Sequence, residues 1–345
     1  MNCVFRRTFT SVSFIAPIIA GKMNNLQPRL QTLAQLIPPL TASMHKGECG
    51  RVAAIGGCEE YTGAPYFVAS TALRLGADIA YVLCEKDAGT VIKGYSPDII
   101  VAPYLRSVDN PDRTLDDVHS KVEQVLDKVH AVSVGSGLGN DANIGQSVER
   151  AIRAARERQL PVVLDADALS LVCTSPEIIS GYANAVLTPN APEFARLCNA
   201  LGIATDEPID KTAQLVAARL NGPTLLIKGV RDVITDGQTV FVCDETSGLR
   251  RCGGQGDMLS GAVLTFLAWG ELYKRGAWKS TARDSISPAL VPMHAAYAAS
   301  MLTRHASFLA YEECARATMS SSVLDQMDIS FDNKFEEILK AVKPK

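Results

Sequence analysis

This chain of 345 residues is poor in aromatic side chains, which make up 6% of it and include only two tryptophans. It also lacks a charge excess: 34 Lys and Arg against 37 Asp and Glu leave a formal net charge of -3 at pH 7. That balance gives no electrostatic case for nucleic acid as the main partner. No uninterrupted apolar run reaches the roughly 18–20 residues that a membrane-spanning helix needs, so no membrane partner is expected. Nine cysteines are scattered without a CxxC pair or an adjacent histidine ligand. Their odd number and irregular spacing argue against both a disulfide framework and a zinc site, and reduced thiols are expected. With 47% hydrophobic and 21% charged residues, what remains is an ordinary globular composition.

The first 47 residues contain no Asp or Glu, yet carry Arg6, Arg7, Lys22, Arg29 and Lys46. Ser, Thr and bulky apolar residues fill the stretch Arg6 to Ile15, and that composition reads residues 1–22 as a mitochondrial targeting segment. Phe14 to Ala20 also resembles the core of a secretory signal, but cysteines without pairing logic speak against secretion. Met23 offers an alternative start that would give a cytoplasmic form. Residues 26–345 then read as one domain.

Within that domain, Leu26 to Leu40 carries Leu30, Leu33, Leu36 and Ile37 at helical spacing. Short apolar runs follow at Val52–Ile55, Ile79–Cys84, Ile99–Val101, Ala131–Val134, Pro161–Leu164, Ala185–Thr188 and Thr224–Ile227. They alternate with helical patterns over Tyr66–Gly76, Leu115–Val129 and Ala142–Arg158. Fully apolar strands alternating with helices predict an α/β fold of three layers around a mainly parallel sheet. Val233 to Val242 reads as a hairpin across Asp236-Gly237. Beyond Asp257 the pattern predicts helices over Ala289–Arg304, Phe308–Ala317 and Phe331–Val342, with Gly276–Ser287 and the run Ser320-Ser321-Ser322 as surface connections.

The chemistry concentrates in the loops that leave the strands, where ligands of open parallel sheets bind. Arg251-Cys252-Gly253-Gly254-Gln255-Gly256-Asp257 opens an apolar helix. Glycines there leave backbone N–H groups available to an anion with the helix dipole behind them, and Asp257 is placed to accept a proton from an alcohol. A tight turn with a well-placed first-turn aspartate is the plainer alternative. Gly56-Gly57 and Gly135-Ser136-Gly137-Leu138-Gly139 leave two other strands, the second suited to a dinucleotide or phosphate. Asp165 and Asp167 flank one residue at a strand end, and Asp167 could simply cap the following helix. Asn190 and Glu193 either order water around a magnesium ion or form a capping box. Lys228 at a strand end either meets a phosphate or is simply solvated. Cys252 is either a buried small residue or an oxidation-sensitive point.

In their order along the chain, these pieces resemble the ribokinase-like superfamily. More narrowly, Tyr61-Thr62-Gly63-Ala64-Pro65, Lys93 to Asp98, Asp165 to Leu169, Thr188 to Glu193 and Arg251 to Asp257 resemble the ATP-dependent NAD(P)H-hydrate dehydratases. The likeness runs from about Lys46 to Arg304, with one departure: Ser136 stands where the pattern Gly-Pro-Gly-Leu-Gly has proline. The resemblance implies ATP-driven dehydration of the S epimer of NADHX or NADPHX, with Asp257 as the catalytic residue. It further implies that Gly137 or Gly139, and Asn190, Ala191, Pro192, Glu193, Phe194, Ala195 and Arg196, contact the hydrated dinucleotide together with Asp257. Lys228, Gly229, Val230, Arg231 and Asp232 would line ATP, as would Ser247, Gly248, Leu249, Arg250, Arg251, Cys252, Gly253, Gly254, Gln255 and Gly256. Magnesium would be held through water near Asn190 and Glu193, without a direct protein ligand. A separate NAD(P)H-hydrate epimerase is the implied functional partner, and a homo-oligomer is compatible with the pattern. The competing functions are a kinase of a sugar or vitamin precursor, and a nucleotide-binding protein without activity.

Overall fold

The computed structural model describes residues 29–278 and 286–342. The expected targeting segment, Met23 and part of the polar connection Gly276–Ser287 lie outside the described residues. Continuous apolar runs become strands β1 (Arg51–Ile55), β2 (Ile79–Glu85), β3 (Ile100–Leu105), β4 (Ala131–Val134), β5 (Val162–Leu164), β6 (Ala185–Leu187) and β7 (Thr224–Ile227). The hairpin supplies β8 (Asp232–Thr235) and β9 (Val240–Cys243). They join in one 9-stranded sheet of order β3-β2-β1-β4-β5-β6-β7-β8-β9. β1 to β7 pair in parallel, whereas β8 and β9 are antiparallel.

Alternation of side chains along each strand divides the core between the two faces of the sheet. In β1, Val52 and Ala54 enter one core while Ala53 and Ile55 enter the other. Helices α1 (residues 29–34), α2 (Gly63–Leu75) and α3 (Lys86–Lys93) cover the first face. Helices α4 (Leu115–Leu126), α5 (Ala142–Glu157), α6 (Asp167–Thr174), α7 (Ala191–Ala200) and α8 (Ile209–Leu220) cover the second. The chain then returns to the first face with α9 (Gln255–Lys274), α10 (Val291–Cys314), α11 (Ser320–Leu324) and α12 (Met327–Val342). The three-layer α/β architecture is thus present. Helix α9 is apolar around most of its circumference and is buried from Met258 to Gly270, as a helix enclosed on all sides must be. Phe266 and Trp269 lie fully inside, and the Trp269 indole N–H donates to the Cys49 carbonyl at 2.8 Å.

Several elements differ from their sequence patterns for identifiable reasons. β3 runs through Pro103, which an edge strand tolerates because its outer side needs no ladder donor. The two helices expected over Ala289–Arg304 and Phe308–Ala317 are one continuous α10, since neither Gly nor Pro interrupts His305-Ala306-Ser307 and Ala306 is buried. The serine run is no surface connection: it opens α11, and Ser320 is buried. Leu30, Leu33, Leu36 and Ile37 are buried as their spacing suggests, but the regular helix stops at residue 34, before Pro38-Pro39. The eight cysteines among the described residues are all free thiols.

Candidate active site

Strand order reverses between β1 and β4, with β2 and β3 to one side and β5 to β9 to the other. Loops that leave the two strands at such a point diverge and open a crevice beyond their carboxyl ends. Here the two loops are tied together, because the Gly57 N–H donates to the carbonyls of Ser136 at 3.1 Å and Gly137 at 3.0 Å.

Three further strand ends converge on a buried carboxylate. Asp165 directly follows β5, is 2% exposed, and accepts hydrogen bonds from Lys228 Nζ at 2.8 Å and Ser260 Oγ at 2.7 Å. Lys228 follows β7 and also lies 3.8 Å from a Glu193 carboxylate oxygen. Burial opposes the Lys228 charge, but Asp165, Glu193 and Asp257 outweigh it, and the ammonium is held more firmly than in water. A buried charge persists when paired and hydrogen-bonded in this way.

Asp257 stands beside this cluster in the first turn of α9. Burial, and then the Asp165 charge, push its carboxyl from the ordinary 3.8 up to about 6; the Ser136 hydroxyl and Lys228 pull in the opposite direction. The turn before it is held open by Gly254, whose φ of +98° is left-handed. A Cβ there would approach Ser320 Oγ to 2.9 Å and the Phe67 ring to 3.0 Å, so only glycine fits. Ser320 also donates to the Gly253 carbonyl and bonds Cys252 Sγ at 3.4 Å, fixing the turn from α11. Among the described residues, the N–H groups of Gly254, Gln255 and Gly256 meet no acceptor within the chain. They are the unsatisfied donors of a helix N-terminus, aligned with its dipole. Together, the turn and Asp257 can hold an anionic group while taking a proton from an adjacent hydroxyl.

The loop after β4 is built differently. Asp167 does not cap its own helix; its Oδ2 accepts the N–H groups of Leu138 at 2.9 Å and Gly139 at 3.1 Å. Clefts of about 360 and 260 Å³ lie on either side of Leu138–Asp141, and both include Gly139. Neither cleft reaches Asp257, so the placement of the chemistry rests on the carboxylate and donors.

Asn190 and Glu193 form the capping box: the Asn190 N–H donates to Glu193 Oε2 at 2.7 Å, and the Glu193 N–H to Asn190 Oδ1 at 3.0 Å. The two residues stay at the rim while Phe194 turns into the core, and Ala191, Pro192, Ala195 and Arg196 are exposed. Among the described residues no group of three or more His, Cys, Asp or Glu could hold a metal ion. The single Glu193 carboxylate, mostly buried beside Lys228 and already accepting the Asn190 N–H, fits magnesium only as an ion carried on phosphates and mostly ligated by water, as that ion prefers.

Asp232 is buried and engaged by the Gly229 N–H at 2.9 Å, Ser300 Oγ at 2.7 Å and Arg304 at 3.1 Å, so it shapes the turn Gly229–Arg231 from within. Arg304 adds bonds to the carbonyls of Gly229, Val230 and Glu245. Val230 and Leu249 project outward at 89% and 80% exposure, and Arg231, Arg250 and Arg251 are exposed as well. Ser260, Ser320 and Arg304 were not readable as site residues. Only the i, i+3 spacing of Ser260 from Asp257 hinted at a shared helix face.

A family model described as NAD(P)H-hydrate dehydratase matches residues 52–328. A Schizosaccharomyces pombe protein named ATP-dependent (S)-NAD(P)H-hydrate dehydratase is 41% identical over 328 residues, covering 94% of this chain and 97% of that protein. Its Homo sapiens namesake is 40% identical over 319 residues, covering 92% and 87%. Among solved structures, a ribokinase-like superfamily protein from Enterococcus faecalis superposes with TM-score 0.67 at 19% identity, covering 88% of this chain and 94% of that one. The Bacillus subtilis ADP/ATP-dependent NAD(P)H-hydrate dehydratase, co-crystallised with ATP and Mg2+, gives TM-score 0.62 at 21% identity, covering 87% and 96%. At these identities the two structures establish the ribokinase-like fold.

Proposed function

Since this chain belongs to the NAD(P)H-hydrate dehydratase family, we propose that the α9 turn and Asp257 are where its reaction takes place. The protein is an ATP-dependent lyase that dehydrates the S epimer of hydrated NAD(P)H and so regenerates the cofactor. The substrate carries the elements of water across one double bond of the reduced nicotinamide ring. Asp257 takes the proton of the ring hydroxyl as that oxygen bonds the terminal phosphorus of ATP and the bond to the ADP oxygen breaks. The N–H groups of Gly254, Gln255 and Gly256 hold the charge on the transferring group, and Lys228 adds a cation at the same rim. The ring nitrogen lone pair then expels phosphate, and loss of a proton from the neighbouring carbon restores the double bond. Glu193, through water, would hold magnesium carried on the ATP phosphates, and the ion would supply charge neutralisation there.

The observation that carries this assignment is the pairing of three donors without acceptors among the described residues with a carboxylate whose pKa, about 6, suits a base at neutral pH. The test is the rise in reduced-nicotinamide absorbance when protein, ATP and magnesium meet acid-hydrated NADH. An ATP-dependent rise that stops near half conversion identifies turnover of one epimer. ATP consumption with a sugar or vitamin alcohol, and no such rise, assigns a kinase instead. The Gly139 rim and the exposed positions of the Asn190–Arg196 segment are the proposed walls for the dinucleotide, and the Gly229–Arg231 turn and the Ser247–Gly256 segment those for ATP. A separate epimerase is the proposed partner that makes both hydrate epimers usable. Mitochondrial delivery by residues 1–22, with a cytoplasmic form from Met23, is checked by sizing the endogenous protein in each compartment.

A further inference from the structure

Beyond the last β8–β9 pair, Asp232 with Cys243, the hairpin opens into the two segments proposed to line ATP. The Gly229–Arg231 turn lies on one side, and on the other the chain runs through Glu245 into the Ser247–Gly256 segment. Val230 and Leu249 are exposed, so neither segment anchors itself by burying its own tip. Helix α10 holds both instead. Ser300, Arg304 and Ser307 follow one another along it at intervals of four and three, the spacing of a single helix face. Arg304 Nη1 donates to the Gly229 carbonyl at 3.2 Å and Nη2 donates to the Val230 carbonyl, while Nε donates to the Glu245 carbonyl at 2.7 Å. One guanidinium therefore ties the two segments together. Its aim is fixed through Asp232, whose Oδ1 accepts from Nη1 at 3.1 Å and whose Oδ2 accepts from Ser300 Oγ at 2.7 Å. One turn further on, a Cβ on Gly248 would come within 2.4 Å of the Ser307 carbonyl, and Ser307 Oγ accepts from Gln255 Nε2 at 3.3 Å.

We propose that α10 is the template that sets the separation of the two ATP walls, with Arg304 as the positioning residue that holds them in place before ATP arrives. This rests on the reading of those two segments as ATP walls. The planar guanidinium suits the task because its donors are fixed relative to one another, so bonds to one segment dictate where the other must lie. A lysine ammonium keeps the charge beside Asp232 but lacks that fork. Ordering a binding surface in advance lowers the cost of binding, so loosening it is felt first in ATP affinity. The walls proposed for the hydrated dinucleotide, at Gly139 and Asn190–Arg196, receive none of these Arg304 bonds.

The test is steady-state kinetics in both substrates for full-length wild type, Arg304→Lys and Gly248→Ala, together with ATP-dependent amide shifts in wild type. Arg304→Lys is expected to raise KM for ATP about 10-fold, with kcat and KM for hydrated NADH within about twofold of wild type. Gly248→Ala keeps Arg304 but presses a Cβ onto the Ser307 carbonyl, and is expected to raise KM for ATP several-fold with the same selectivity. A residue that serves stability alone lowers the active fraction, hence kcat, and leaves both KM values where they were. A KM for ATP within about twofold of wild type in Arg304→Lys, or equal rises in both KM values, overturns the positioning role. If Arg304→Lys does not fold, Gly248→Ala decides, and a wild-type KM for ATP there overturns the template. In wild type, ATP with magnesium is expected to shift the amide signals of Val230 and Leu249. No shift at either overturns the ATP walls themselves, whereas shifts there with unchanged KM values in the variants overturn only the role of α10.

Discussion

Two glycine-rich turns stand at the same end of the sheet, and they use their backbone donors in opposite ways. The turn after β4 gives the N–H groups of Leu138 and Gly139 to Asp167, a carboxylate of the same chain. The turn before α9 gives the N–H groups of Gly254, Gln255 and Gly256 to no acceptor among the described residues. A carboxylate already seated on the first turn repels a phosphate, whereas open donors at the second attract one. Glycine content therefore says little about anion binding until the hydrogen bonds of the turn are followed. In the function proposed above, the β4 turn forms a wall and the α9 turn is the cradle.

The sharpest way to break this comparison is to remove the base from the cradle. Asp257→Asn is expected to lower turnover by about 10²–10⁴-fold while ATP affinity stays near wild type, checked by the absorbance assay alongside calorimetry. The same variant reports on burial. The Asp257 carboxyl is raised from 3.8 to about 6, so between those pH values the folded chain holds a proton that the unfolded chain has released. Stability from this group is fully present below about pH 4 and is lost as the pH rises through about 6. Above that window wild type carries an unfavourable buried charge of about 1–3 kcal/mol that asparagine lacks. Asp257→Asn should accordingly melt above wild type at pH 8, with the gap closing near pH 4.

Next in size is the contrast between adjacent glycines. Gly254 has φ +98° and close neighbours, whereas a Cβ on Gly253 meets nothing within 4 Å. Gly254→Ala is expected to lower kcat by about 10–100-fold through a displaced donor and to cost about 1–2 kcal/mol of stability. Gly253→Ala should stay within about twofold in kcat, and equal losses in the two variants would remove the special conformation from the account. The smallest effect is expected on the other turn. Asp167→Asn keeps the shape and an acceptor oxygen for the two N–H groups, and since burial already raises the Asp167 carboxyl above its ordinary value, the change in stability is expected to stay within about 1 kcal/mol. It should raise KM for hydrated NADH several-fold with little change in kcat or in ATP affinity.

Much of this arrangement was legible because it is local. The apolar strand runs, the hairpin around Asp236-Gly237, the Asn190–Glu193 box and the glycine turn before Asp257 all follow from neighbours within a few positions. What escaped was set by contacts between distant segments. Lys228 meets Asp165 from 63 positions away and Ser260 meets it from 95, and no spacing rule anticipates that the lysine would arrive already paired. Asp167 could be read as a helix cap from its position, yet it caps a loop 28 residues earlier. Ser320, polar and in a serine run, resembled a surface link because nothing in its neighbourhood reveals that α11 closes over the Gly253-Gly254 turn.

The most direct test of the division between the two turns is the amide spectrum of isotopically labelled full-length protein titrated with ATP and magnesium. The account predicts large shifts at Gly254, Gln255 and Gly256, with Leu138 and Gly139 close to their starting positions. Large shifts at Leu138 and Gly139, with Gly254 to Gly256 unmoved, would contradict it and make the β4 turn the phosphate site.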